Sequence, residues 1–222
     1  MRGPARVVFE HVVFDLDGTL VDSRVDLAAA VNHALVSLGL PEIAATTLTG
    51  YVGEGARVLV ERALGPAHQD LLPPALERFM GRYGAHLLDT TLPYPGIPEA
   101  LAALASGGVA LSVLTNKPVA MSRTILEGLG LASQFVAVLG GDSLRVKKPD
   151  PAGVEHLRVL TSTASDRMLL VGDSAIDLRT AHAAHIPFCG VTWGFSPQTL
   201  LTAHPDRIAD HPADLIKIVE NG

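Results

Sequence analysis

Two aspartates, Asp15 and Asp17, stand one residue apart in "VVFDLDGTLVDS" (12–23), where an apolar run ends. On a strand, with its period of two, both carboxylates point the same way, and like charges so close raise each other's pKa. A cation is needed to offset that repulsion. Three more polar clusters follow later apolar runs: "TNK" (115–117), "KKPDP" (147–151) and "GDSAID" (172–177). Gathered at one place, they supply Asp15, Asp17 and Asp173 as oxygen ligands, Thr115 and Asn116 as short donors, and Lys148 as a second positive charge. Mg²⁺ suits such a set, because it takes carboxylate and carbonyl oxygens and keeps room for waters and a substrate phosphate. An anionic cluster, a hard cation, hydroxyl and amide donors and a lysine are the parts of a phosphoryl-transfer site, where positioning and electrostatic stabilisation do most of the catalysis.

The elements must bring these clusters together. Short β-branched runs at 7–14, 109–114, 135–139, 168–171 and 188–191 predict strands. Helical patterns at 97–106, 119–129, 151–160 and 176–185 lie between them. This alternation predicts an α/β fold, a doubly wound parallel sheet with helices on both faces. Sites in such sheets form beyond the carboxyl ends of the strands, which is where all four clusters fall. One stretch, 24–91, has no strand signal. Apolar residues recur at intervals of three and four over 26–38, 47–64 and 74–88, predicting helices. That is too much chain for a crossover, so it reads as a helical insertion over one end of the sheet. Residues 1–23 and 92–222 are then the core, and 24–91 a domain of their own.

Bulk properties exclude several classes. In 222 residues, 48% hydrophobic and 18% charged content fits a packed globular protein. A net charge of −6 with no Lys/Arg run argues against a nucleic-acid partner. No apolar run approaches the length of a membrane span, and no membrane partner is expected. The N-terminal "MRGPAR" leads into a run broken by Glu10, His11 and Asp15, unlike a signal peptide. Cys189 is the single cysteine, so no disulfide closes within the chain and a reducing compartment, the cytoplasm, is expected. The sequence does not distinguish a monomer from a dimer.

"DLDGTLVDS", "TNK", "KKPDP" and "GDSAID", in this order, resemble the four motifs of the haloacid dehalogenase-like hydrolase superfamily, over about 12–195. The insertion resembles that superfamily's cap domain in the first of its two usual positions, on a Rossmann-like core. "GTLVDS", "PYPG", "LTNKP", "GGDSL…KKPDP" and "YVGEGARVLVERALG" are most similar to phosphoglycolate phosphatases. The resemblance implies a Mg²⁺-dependent phosphoric monoester hydrolase acting on a small phosphorylated metabolite, 2-phosphoglycolate foremost. It makes Asp15 the nucleophile that forms an aspartyl-phosphate. Asp17 becomes the acid and then the base, a residue the related dehalogenases lack. Thr115 and Asn116 hold the phosphoryl group, while Lys148 restrains Asp15 and stabilises phosphoryl charge. Mg²⁺ is held by Asp15, Asp173 and the backbone carbonyl of Asp17, and Asp177 supports its waters. The chain departs from the pattern at His185, where glycine is usual, and at Ile176, where asparagine is usual. On the same scaffold stand a sugar-phosphate phosphatase, a phosphoglucomutase-like enzyme and a pyrophosphatase. A phospho-accepting signalling domain also gathers acids, Thr/Ser, Lys and Mg²⁺ at strand ends, but has no insertion of this size.

Other polar residues have plainer readings. Lys117 and Lys147 are expected at the surface, as are His182 and His185. Arg57 reads as a solvated helix arginine rather than a partner for a substrate carboxylate. Trp193 and Phe195 read as packing. The glycines of "GYVGEG" (50–55) follow no strand and do not make a nucleotide loop; they let the insertion's backbone approach a substrate. The insertion is expected to close over the site on hinges near 23–24 and 90–95.

Overall fold

The structure, a computed structural model, describes residues 8–222. The first residue of the expected strand at 7–14 and the "MRGPAR" segment lie outside the described residues. Six strands form one parallel sheet in the order β5-β4-β1-β6-β7-β8. They are β1 (His11–Phe14), β4 (Ala110–Leu114), β5 (Ala137–Leu139), β6 (Met168–Gly172), β7 (Phe188–Val191) and β8 (Arg207–Ala209). Successive side chains alternate between faces. Val12 and Phe14 pack with Leu111, Val113 and Val171 on one side, under α5 (Ile97–Ser106), α6 (Val119–Gly128) and α10 (Pro212–Asn221). Val13 packs with Leu114, Leu170 and Phe188 on the other, under α7 (Ala152–Thr161) and α8 (Ala175–Ala183). Both faces of β1 and β6 are therefore buried, which is why these strands are apolar apart from His11.

The two residues that seemed to spoil the first strand have separate explanations. Glu10 lies outside β1, exposed, and pairs with Arg167 at 2.6 Å. His11 is fully buried, with Nε2 2.9 Å from Ser112 Oγ and Nδ1 2.9 Å from Thr161 Oγ1. Burial lowers its pKa from 6.5 to about 4. With the folded value below the unfolded one, the stability is present above pH 6.5 and is lost as pH falls toward 4. Wild-type protein is expected to lose about 2 kcal/mol through this group between pH 7 and pH 5, at ~1.4 kcal/mol per unit. Urea unfolding of wild type and His11→Asn across that range reads the difference. Parallel pH profiles would refute the assignment.

Between β1 and β4 the chain leaves the sheet. β2 (Val21–Asp22) and β3 (Leu92–Pro93) pair as a short antiparallel ribbon, with α1 (Arg24–Val36), α2 (Ala45–Thr49), α3 (Ala56–Leu64) and α4 (Leu72–Ala85) between them. α1 packs on α4, burying Leu27, Val31 and Leu35 at helical spacing with Leu72, Ala75, Phe79 and Tyr83. The helix expected over 47–64 is broken at 50–55. Gly53 and Gly55 take φ of +121° and +90°, values that end a right-handed helix. At the root of the insertion Asp26, buried, accepts from the backbone N–H and hydroxyl of both Thr90 (N 3.0 Å, Oγ1 2.6 Å) and Thr91 (N 2.8 Å, Oγ1 2.7 Å). Burial works to raise its pKa, but these donors outweigh it and hold the carboxyl below its ordinary range. The two ends of the insertion are thus tied side by side.

Candidate active site

Every expected cluster falls at a carboxyl end of the sheet. Asp15 follows β1, its N–H donating to Val171 O at 2.9 Å. Thr115, Asn116 and Lys117 follow β4, and Asp173 follows β6. The turn after Asp17 needs glycine twice over: Gly18 has φ +83°, and a Cβ there would lie 2.3 Å from Asp173 Oδ2. Ser174 caps α8, and its side chain and that of Asp177 close a capping box. Asp177 thereby caps a helix and also faces the site.

Asp15, Asp173 and Asp177 each offer a carboxylate oxygen within 4.8 Å of the others, and all are buried. Lys148 Nζ lies 2.8 Å from Asp15 Oδ1 and 2.6 Å from Asp177 Oδ1. Asp173 Oδ2 accepts from Phe195 N at 2.7 Å. Burial pushes the Asp15 pKa up to about 6, with Asp177 adding to the rise and Lys148 opposing it. Burial, then the charges of Asp177 and Asp15, raises Asp173 well above its ordinary value. Burial works against the charge on Lys148, but Asp15 and Asp177 win and raise its pKa. Three buried carboxylates against one lysine leave an excess of negative charge. These hard oxygen donors fit a divalent cation such as Mg²⁺. The Asp17 carboxylate points elsewhere, accepting from Ser23 Oγ at 2.5 Å and from Lys117 Nζ at 2.6 Å.

Lys117 is the main correction to the sequence reading. It is 6% exposed rather than at the surface, and its Nζ also donates to Tyr83 OH from α4 at 2.6 Å. Asp17 and Tyr83 outweigh its burial and raise its pKa. The sequence placed Lys117 directly after a strand, but the residue that buries it comes from the insertion. Phe195 was read as packing; it also gives its N–H to Asp173 and lines the cavity over the site. Two partners of this group escape the sequence reading: Tyr83 lies far from any strand end, and Ser23, though it closes the first motif, carries no signal that its hydroxyl turns back to Asp17. Lys147 is exposed as expected, but its Nζ docks on Glu54 O of the insertion at 2.6 Å. Arg57, His182 and His185 are exposed as expected. His185 adopts φ +54°, a left-handed conformation, which gives a physical reason for glycine being usual there.

The insertion sits on these loops. Asn116 Nδ2 donates to Gly53 O and to Lys148 O, each at 3.0 Å. A Cβ on Gly55 would lie 3.2 Å from Asn116 O, so this glycine lets the insertion's backbone pack closely on the core loop after β4. Between insertion and core lies a cavity reaching Asp15, Asp17, Thr115 and Asp173, walled by Leu27, Phe79, Met80 and Met121. Among the described residues, no helix is long and apolar enough to cross a membrane.

The sequence pattern of the haloacid dehalogenase-like hydrolase family matches residues 12–191. A protein of Agrobacterium fabrum (strain C58 / ATCC 33970) named phosphoglycolate phosphatase is 37% identical over 221 residues, covering 95% of this chain and 94% of that one. One of the same name from Neisseria gonorrhoeae (strain ATCC 700825 / FA 1090) is 41% identical over 208 residues, 90% of this chain and 88% of that one. A crystal structure from Haemophilus somnus 129pt, described as a predicted phosphoglycolate phosphatase, superposes with a TM-score of 0.88 at 34% identity, covering 95% and 97% of the two chains. Fold, strand-end acids and relatives agree: the chain belongs to the haloacid dehalogenase-like hydrolase family.

Proposed function

We propose that this chain is a Mg²⁺-dependent phosphoric monoester hydrolase acting on a small phosphorylated metabolite, with 2-phosphoglycolate its substrate. The observation that carries this is the meeting of Asp15, Asp173 and Asp177 within 4.8 Å, with Asp15 and Asp173 lining a cavity. The names of the Agrobacterium and Neisseria relatives support the substrate.

Asp15 attacks phosphorus, and the bond to the ester oxygen breaks. Asp17 delivers a proton to the departing oxygen and so spares an alkoxide leaving group. The Asp17 carboxylate then takes a proton from the water that attacks the aspartyl-phosphate, releasing inorganic phosphate and restoring Asp15. Lys148 fixes the Asp15 carboxylate and balances charge on the phosphoryl oxygens. Thr115 Oγ1 and the backbone N–H of Asn116, whose side-chain amide is taken up by Gly53 O and Lys148 O, hold those oxygens. Asp15, Asp173 and the Asp17 carbonyl would hold Mg²⁺, with Asp177 supporting its waters; the ion supplies charge compensation and orients the phosphoryl group. Residues 24–91 act as a cap domain on the core of 1–23 and 92–222, excluding water from the leaving-group side. Cys189, a buried thiol whose pKa burial pushes up to about 12, suits a reducing cytoplasm.

A steady-state panel tests the reading. Phosphate release from 2-phosphoglycolate is expected with Mg²⁺, falling to background in EDTA and returning with added Mg²⁺. Faster turnover of a sugar phosphate or pyrophosphate would overturn the substrate. A phosphorylated protein lasting minutes without turnover would instead favour the signalling-domain reading.

A further inference from the structure

Among the described residues, Lys117 is the one basic side chain lining the cavity over the site. Its neighbours on that wall are apolar: Leu27, Phe79, Met80 and Met121. A buried ammonium in such a wall needs an anion, and here it has Asp17 Oδ1 at 2.6 Å. Tyr83 holds it in place, with its hydroxyl 2.6 Å from Nζ and its ring centroid 4.8 Å away. The Tyr83 ring is itself stacked on Phe79, centroids 5.6 Å apart. The lysine is therefore fixed beside Asp17 on the wall of the cavity, where the proposed function puts the leaving oxygen. Arg57, the other cation weighed for a substrate carboxylate, is exposed and does not line the cavity.

We infer that Lys117, steadied by Tyr83, binds the carboxylate of the substrate's leaving group and sets the enzyme's preference for phosphate esters of short hydroxy acids. This rests on the phosphatase reading above. In phosphoglycolate the carboxylate is one carbon from the ester oxygen. With that oxygen against Asp17, the carboxylate falls within reach of the ammonium Asp17 already contacts. A neutral leaving group leaves Lys117 with Asp17 alone and gains nothing from it. The residue thus discriminates by charge, and the apolar wall excludes water that would weaken the pair.

The test compares 2-phosphoglycolate with 2-hydroxyethyl phosphate, which carries CH₂OH in place of the carboxylate. The readout is the ratio of their kcat/KM values in wild type, Lys117→Met and Tyr83→Phe. The ratio cancels any loss common to both substrates. Lys117→Met is expected to lower it by about tenfold to a hundredfold, the worth of a charged hydrogen bond, with KM for 2-phosphoglycolate rising. Tyr83→Phe keeps the stacked ring and is expected to lower the ratio by about threefold to tenfold. An unchanged ratio in Lys117→Met, however low both rates, would make the lysine a positioning residue for Asp17 and overturn the inference. Should that variant fail to fold, an unchanged ratio in Tyr83→Phe overturns it equally. If wild type releases phosphate from neither ester, the phosphatase reading itself has failed and the inference falls with it.

Discussion

Asp15→Asn is expected to reduce kcat by at least about 10⁴-fold, in line with removing a nucleophile from a machinery that works as a unit. The substitution keeps the shape of the side chain, so the loss is chemical. Stability separates this from a folding defect. The Asp15 carboxyl has its pKa pushed up to about 6 by burial, from 3.8. A carboxyl whose folded pKa is raised stabilises the fold when protonated, at low pH. That contribution is lost as pH rises from about 3.8 to about 6. At neutral pH without a cation, the charged Asp15 is therefore a burden on the fold, only partly relieved by Lys148. Asp15→Asn is accordingly expected to unfold in urea with EDTA at a midpoint no lower than wild type. A midpoint well below wild type, or activity within tenfold of it, would contradict the account.

Lys148→Met carries the second large effect. Lys148 Nζ bridges Asp15 at 2.8 Å and Asp177 at 2.6 Å, and its side chain is 2% exposed. Removing one partner of a buried ion pair leaves the others uncompensated, at a cost of about 3–5 kcal/mol. Here the residue removed is the cation among three buried carboxylates. The variant is expected to be destabilised by that amount in EDTA and to regain much of it in Mg²⁺, because a divalent ion replaces the missing charge. Activity should fall by at least about a hundredfold even with Mg²⁺ saturating, since no group then restrains Asp15. Chemical unfolding with and without Mg²⁺, beside initial rates, measures both. Equal stability of variant and wild type in EDTA would mean that the lysine does not balance the cluster.

Much of this site was legible because parallel strands are short, apolar and followed at once by their functional residues. Asp15, Thr115, Asn116 and Asp173 could be placed from local sequence alone, and so could the core helices α5 to α8. The unreadable parts depend on contacts far along the chain. The two-residue strands β2 and β3 are too short for any periodicity, yet their pairing and the Asp26 clamp fix the root of the insertion. β8 and α10, at the end of the chain, were not anticipated; the three residues of β8 carry no alternation to detect. The apolar spacing over 47–64 was real, but two glycines at positive φ divide it into separate helices. Lys117 looked like a turn residue before a proline because its burial comes from Tyr83, 34 positions away on another element.

The central claim is that the Asp15 carboxylate attacks phosphorus and is later freed by water, two displacements in sequence. The stereochemical course at phosphorus tests it most directly, using a phosphate ester made chiral with oxygen isotopes. Two in-line displacements predict net retention of configuration. Net inversion would mean that water attacks the substrate directly, and Asp15 would lose its place as nucleophile.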